Sequence, residues 1–521
     1  MRVLLAVGLA AFVVLSGCIG AGPDSTTSPA GSTMDPPILL EGIVAHQADG
    51  VLVDAARYGG ELPQMVERYI ANRPGGEPTV AIDRDGVAIY PTIDFDLNLV
   101  ATSLATTKVY RSLDEGVTWT ESTPSLGNLG AVPAAPTSLD PYVYADPVTG
   151  RLFNIDLNLA VGGFLSYSDD SGVSWISQPG CCGLPVDDHQ TLFSGPATTL
   201  VANPLLYPDR VLYFCVNQIA QAECTHSLDG GLTWSAGTPV YLGYDPQPEN
   251  PIIDENLSNL CGGLHGHGHA SEVTGTVFLP KGHCGNAYVA RSTDNGLTWE
   301  TVRLDNPFGF DGHEAIVSTD QAGNVYYFFL DGETRPRLAV SRDDGQTWSR
   351  PINVTAPGVT TAKFPSIVAG EKGRIAFLYI GSTTPSGIHV FDTNATTGEL
   401  EHKSELENAT WEAYVGFSMD ALADDPVFAS IIPHDPADPL ARGNCFDRCY
   451  RDVGGMYDFM DIEVNPLTGQ VWTALVDMCN EHVVNNQPAC NSAAGTFKSW
   501  HQSRGAVGVQ TGGTFLGTRI P

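Results

Sequence analysis

One short pattern, S-x-D-x-G-x-[ST]-W, occurs five times in this 521-residue chain. The copies run Ser112 to Trp119, Ser168 to Trp175, Ser227 to Trp234, Ser292 to Trp299 and Ser341 to Trp348. Their starts lie 56, 59, 65 and 49 residues apart. A period of this size marks repeated supersecondary units that bury their apolar faces against one another. Each copy is suited to a tight hairpin turn. Ser and Asp side chains accept hydrogen bonds from backbone N–H groups a few residues on, and Gly permits the left-handed conformation. The Trp that follows buries a large ring and pins the turn to its sheet.

Upstream of the copies, β-branched and aromatic runs bounded by Gly, Asn and Asp recur as paired strands. Residues 78–84 turn at Asp85 and Gly86 into 87–90, and 142–145 turn into 152–155. The design returns at 315–318 with 325–329, at 366–369 with 375–378 and at 462–464 with 471–474. Counting less regular versions, seven such hairpins lie near 85, 149, 207, 274, 322, 371 and 467. Each unit reads as strand, turn, strand, loop, strand, repeat turn, strand. A four-stranded antiparallel sheet repeated radially is a β-propeller. The chain is therefore predicted to be all-β, a seven-bladed propeller over residues 38–521. A short helix is predicted at Leu62–Arg73, together with a strand that closes the ring, and 400–455 reads as a long insertion between the sixth and seventh blades.

The repeated pattern resembles the Asp box, or BNR repeat, of the sialidase superfamily. The resemblance implies that the boxes are structural turns on the face away from the active site. Sialidases have six blades, so six is the alternative count. The family clamps a sugar carboxylate with three arginines, attacks with a Tyr assisted by Glu and uses an Asp as acid/base. Bidentate guanidinium–carboxylate pairing makes such a clamp strong and directional. Tyr457 and Glu314 are the matches in order. The family's Arg-Ile-Pro signature is missing near the first blade, and Arg519, Ile520 and Pro521 carry it at the opposite end of the chain. Three channel-facing arginines cannot be identified. The resemblance thus implies a partnership with a glycan or other surface polymer, sialidase-like or glycosidase-like, and leaves open whether the ligand is cleaved.

The chain opens with Met1, Arg2 and an apolar run from Val3, and Leu15, Ser16, Gly17 and Cys18 resemble a lipoprotein lipobox. So short an apolar run reads as a signal peptide rather than a membrane span, with Cys18 lipidated; an ordinary cleaved signal is the alternative. Residues 19–37, rich in Gly, Ser, Thr and Pro, read as a flexible tether. The expected location is the cell surface, as a membrane-anchored monomer. Lys+Arg of 26 against Asp+Glu of 59 gives a net charge of −33. Nucleic acid is excluded as a partner because its phosphates would be repelled. A surface this acidic and lysine-poor suits work in high salt. Ten cysteines besides Cys18 imply disulfides in an exported chain. Proximity suggests Cys215–Cys224, Cys261–Cys284, Cys445–Cys449 and Cys479–Cys490, while the adjacent Cys181 and Cys182 pair with each other or reach elsewhere.

Propeller geometry puts the first-hairpin corners and the repeat turns on one face. The opposite face then carries the long segments 176–189, 236–269, 282–285, 400–457 and 476–498. Loops on a rigid scaffold are where binding and catalysis concentrate. Positions just before each innermost strand should point to the channel mouth, among them Glu77, Lys363, His267 and His269. Carboxylates and imidazoles crowded there push one another's pKa values apart and supply an acid and a base. Asp188, Glu314, Tyr457 and Asp458 are the catalytic candidates, and Asp140, His189, Asp311 and His313 the substrate-binding ones. A glycosidase needs two carboxyl groups about 5–10 Å apart across the scissile bond. His265, His267 and His269 alternate, so on an extended segment they project to one side, toward a divalent metal ion as cofactor. Glycan binding, glycan hydrolysis and metal-dependent catalysis all stay open.

Overall fold

The structure is a computed structural model. It describes residues 42–70, 76–94, 106–124, 139–158, 162–182, 184, 188–218, 221–241, 264–283, 285–310, 314–383, 391–393, 400–402, 410–442, 459–477 and 504–520. The chain divides into residues 1–36 and 37–521, and the second unit is described here. It is a seven-bladed β-propeller, each blade holding four antiparallel strands. The innermost strands of blades 1 to 7 are Ala81–Ile82, Leu139–Ala145, Asp188–Pro196, His269–Ala270, Ile316–Thr319, Thr361–Ala369 and Asp461–Val464. Among the described residues the only helices are two short 3-10 turns, Ala48–Gly50 and Ala55–Tyr58. No helix there is long and apolar enough to cross a membrane.

The five repeat turns share one hydrogen-bond pattern. In the first, Ser112 Oγ accepts from Gly116 N at 2.8 Å, Asp114 Oδ1 accepts from Thr118 N at 2.8 Å, and Asp114 Oδ2 accepts from Thr118 Oγ1 at 2.7 Å. The other four repeat these contacts. Each central glycine has a positive φ and sits against the preceding blade. A Cβ on Gly231, at φ +96°, would meet Leu165 of blade 2 at 2.5 Å, and one on Gly345 would meet Phe278 of blade 4 at 2.6 Å. The turn is therefore also a key between neighbouring blades, which explains why glycine recurs there.

Blade 6 corrects the sequence reading. Thr410–Ser418 and Phe428–Ile431 are its third and fourth strands, so 400–455 is not an insertion after the sixth blade. A reduced turn joins them: Ser418 Oγ donates to Asp420 Oδ1 at 3.0 Å and Val427 N donates to the same oxygen at 3.0 Å. It lacks the Gly and Trp of the repeated pattern. The long segment lies instead between the second and third strands of that blade, where Phe391–Thr393 and Leu400–His402 pair as a small hairpin. Val44–His46 adds a fifth strand at the outer edge.

The helix predicted at Leu62–Arg73 is not formed either. Gln64–Tyr69 is the fourth strand of blade 7, paired with Arg504–Gly512 in the register Arg68↔Val507. Met, Glu, Gln and Arg favour helix locally, but the open edge of blade 7 offers a full ladder of backbone hydrogen bonds, and tertiary pairing wins over propensity. The predicted ring-closing strand is this same segment. Chain ends meeting in one blade tie the circle shut. Apolar clusters pack between the blades, with Trp411 and Trp472 among the largest fully buried side chains.

Candidate functional site

The strand registers line up all seven blades. Ile82, Ala145, Ser194, Ala270, Thr319, Ala369 and Val464 face equivalent residues of their second strands. The residue after each of these begins the corner, except in blade 3, whose ladder runs on through Gly195 and Pro196. Counting back along strand periodicity from that corner residue gives three tiers around the hub. Six residues back stand Glu77, Asp140, His189, His265, Glu314, Phe364 and Phe459. This upper tier lies at the face opposite the repeat turns, since each innermost strand runs from it down to the corners.

Four of the seven upper-tier residues touch one another across blades. Asp140 N donates to Glu77 Oε2 at 2.8 Å, and His189 N donates to Asp140 Oδ2 at 3.3 Å. His189 Nδ1 is in direct contact with Glu314 Oε1, and Gln190 Nε2 donates to the Asp140 carbonyl. All four residues are buried. Glu77, Asp140, His189 and Phe364 hold φ values of +47°, +55°, +50° and +54°. Ladder registers slip at the same places, between Leu139 and Tyr142, Asp188 and Thr191, and Lys363 and Ser366. A bulge there re-aims a side chain from the sheet toward the mouth, at a cost of about 1–2 kcal/mol for each left-handed non-glycine residue. Strain repeated in four blades at one level marks the mouth as more than packing. The sequence carried a faint sign of it, because Glu77, Asp140 and Phe364 each precede a proline.

Four residues back from the corners come Tyr142, His267, Ile316, Ser366 and Asp461, and two back come Tyr144, Phe193, His269, Ser318, Val368 and Glu463; these line a hub cavity of about 50 Å³. Asp461 accepts from Val80 N at 3.2 Å, Ile462 N at 2.9 Å and Ser366 Oγ at 3.3 Å. Burial, then the neighbouring Glu463, pushes its carboxyl up to about 7. His267 lies 3.8 Å from Asp461 and edge-on to Tyr142, and burial lowers its imidazole to about 3.

The C-terminal tail closes the hub from the turn side. Leu516 N donates to the Gly469 carbonyl at 3.0 Å and Arg519 N to the Pro466 carbonyl at 3.1 Å, while Glu371 N donates back to Leu516. Side chains at Gly370 or Gly469 would strike the tail, with Cβ contacts of 2.5 Å to Leu516 and 2.2 Å to Gly517. Arg519 then rises into the cavity, donating to Glu463 Oε1 at 2.6 Å and to His269 Nδ1 at 3.0 Å. The arginine of the Arg-Ile-Pro at 519–521 is thus a hub residue.

The structure brings together Asp140, His189 and Glu314 from the predicted site. Asp188 opens its strand opposite Asn217. Asp311, His313, Tyr457, Asp458 and Cys18 lie outside the described residues. His265, His267 and His269 do project to one side, as alternation requires, but they stack down the hub instead of converging. His265 Nδ1 donates to Gly266 O at 2.9 Å and His269 Nε2 pairs with Thr319 Oγ1 at 2.8 Å. Among the described residues no three His, Cys, Asp or Glu side chains gather to hold a metal ion. His267 and His269 also sit deeper than the mouth where they were expected. Cys215 is bonded to Cys224 and Cys181 to Cys182; the other suggested pairs fall outside the described residues.

No family model matches the sequence, and no curated protein is similar to it. Solved structures are. A Hadza microbial sialidase is 14% identical at a TM-score of 0.33, over 77% of this chain and 63% of that one, so this chain spans under two thirds of its length. The NanB sialidase of Streptococcus pneumoniae is 13% identical at 0.40, over 88% of this chain and 73% of that one. An alpha-l-arabinofuranosidase of Fusarium graminearum is 11% identical at 0.39, over 72% and 98%. Such scores describe a general likeness and transfer no site residue. In fold, the chain is a seven-bladed β-propeller.

Proposed function

We propose that this protein binds a neutral glycan at the mouth of the hub, on the face opposite the repeat turns. The observation that carries the reading is the upper tier, where Glu77, Asp140, His189 and Glu314 are tied together across blades on a strained backbone. Carboxylate and imidazole groups fixed in this way recognise hydroxyls. Acidic sugars fit poorly. Among the described residues the arginine of the hub cavity is Arg519, which enters from the opposite end and is committed to Glu463. A net charge of −33 also repels polyanions. A screen of neutral and sialylated oligosaccharides tests this. Binding of a neutral glycan that weakens tenfold or more in Glu314→Gln is expected; tight binding of sialylated ligands, or binding indifferent to Glu314→Gln, contradicts it.

Hydrolysis is the second reading, favoured by the direct His189–Glu314 contact, which joins an imidazole to a carboxyl group at the mouth. Release of reducing sugar in the same screen, abolished in Glu314→Gln, would establish it. The lipobox-like segment ending at Cys18 supports an exported protein tethered at the cell surface by residues 19–37. The intact mass of the mature chain decides that point, because a lipidated Cys18 adds the mass of its acyl chains and an ordinary cleaved signal leaves none.

A further inference from the structure

The seam between blades 1 and 2 is sealed low down by Ala81, Ile89, Val109, Val143 and Leu152. Toward the upper face the packing turns polar. Thr107, on the third strand of blade 1, meets Asn154 and Asp156, on the second strand of blade 2, and all three are fully buried. Asn154 Nδ2 donates to Asp156 Oδ2 at 3.2 Å. The Thr107 hydroxyl lies beside the same carboxyl without good hydrogen-bond geometry. That leaves Asp156 Oδ1, Asn154 Oδ1 and Thr107 Oγ1 buried with no partner. None of the described Lys, Arg or His side chains forms an ion pair with Asp156.

Three unpartnered oxygens in one dry seam are unusual, because buried polar atoms are almost always satisfied by protein, water or an ion. Each orphan costs about 1–3 kcal/mol and an unpaired buried carboxylate more. One bridging water would satisfy the oxygens but would leave the carboxylate charge uncompensated. A cation does both. The donor set is a carboxylate, an amide carbonyl and a hydroxyl, with no nitrogen or sulfur, which is the chemistry of hard ions such as calcium and sodium.

We propose that Thr107, Asn154 and Asp156 form a binding site for a hard metal cation that clamps blade 1 to blade 2. These two blades carry Glu77 and Asp140, whose contact begins the row at the mouth. The clamp would fix the spacing of that row without taking part in it.

The test uses the full chain after dialysis against a chelator. Melting temperature is followed as calcium is added, and separately as choline chloride is replaced by sodium chloride at constant ionic strength. Titration calorimetry counts the sites. One saturable site per chain is expected, raising the melting temperature by a few degrees. Asp156→Asn should abolish it, Thr107→Val should weaken it tenfold or more, and the exposed control Asp424→Asn should leave it unchanged. The two arms identify the ion. An equal shift in wild type and Asp156→Asn would mean adventitious binding to the acidic surface and would overturn the proposal. So would a wild-type melting temperature indifferent to both ions, with Asp156→Asn more stable than wild type, which would mean a neutral carboxyl bridged by water.

Discussion

The rim of turns and the mouth of the hub occupy equivalent places in every blade, yet they are filled in opposite ways. At the start of the repeat turn six blades carry serine, from Ser112 to Ser418, and blade 7 substitutes Gln510, whose Oε1 accepts from Val471 N at 3.2 Å. At the upper tier the seven places hold Glu77, Asp140, His189, His265, Glu314, Phe364 and Phe459. The turn satisfies its hydrogen bonds within eight residues, so one solution serves many blades. A mouth residue is satisfied by a residue from another blade, so each must be complementary to its neighbours. Repetition marks structure here, and its breakdown at equivalent positions marks the candidate site.

The largest expected effect comes from the hub, where Arg519→Ala removes one member of a half-buried ion pair and leaves Glu463 unpaired. A loss of about 3 kcal/mol by urea denaturation is predicted, the low end for breaking a buried pair; a loss under about 1 kcal/mol, the value of a surface pair, would mean that the tail does not seal the hub. Next is the rim. Gly231→Ala forces a side chain into a left-handed site and against Leu165, and about 1–3 kcal/mol should be lost. A neutral result would show that the turn does not key blade 3 to blade 2.

The pH dependence of stability turns on Asp461. Its folded pKa is raised to about 7, chiefly by burial, above the unfolded value of about 3.9. The native state therefore holds its proton more tightly, and wild type loses stability from this group as pH rises from about 4 through about 7. Asp461→Asn should remove that slope, matching wild type near pH 4 and melting higher near pH 8. Parallel melting curves across the range would show that the group is solvated.

Much of the architecture was legible because turn chemistry is local. Asp83, Asp146 and Asp320 each cap a corner through their own carboxylates, so the first hairpins announced themselves in short stretches of sequence. What stayed hidden depended on distant partners. Gln64–Tyr69 is a strand only because blade 7 lacks one, and Thr410–Ser418 lost its signal with the Gly and Trp of its turn. Glu314 and His189 were singled out, but their contact spans 125 residues and two blades. The three histidines alternate as their spacing requires, but their partners, Gly266, Thr319 and Arg519, come from the folded hub and not from a metal ion.

Hydrogen exchange, with and without the tightest-binding oligosaccharide of the screen, tests the central claim most directly. Protection is expected in 76–80, 139–143, 188–192 and 314–318, where the upper tier enters the innermost strands, while 112–119, 227–234 and 341–348 exchange as before. Protection confined to those turns would place recognition on the opposite face and contradict the account.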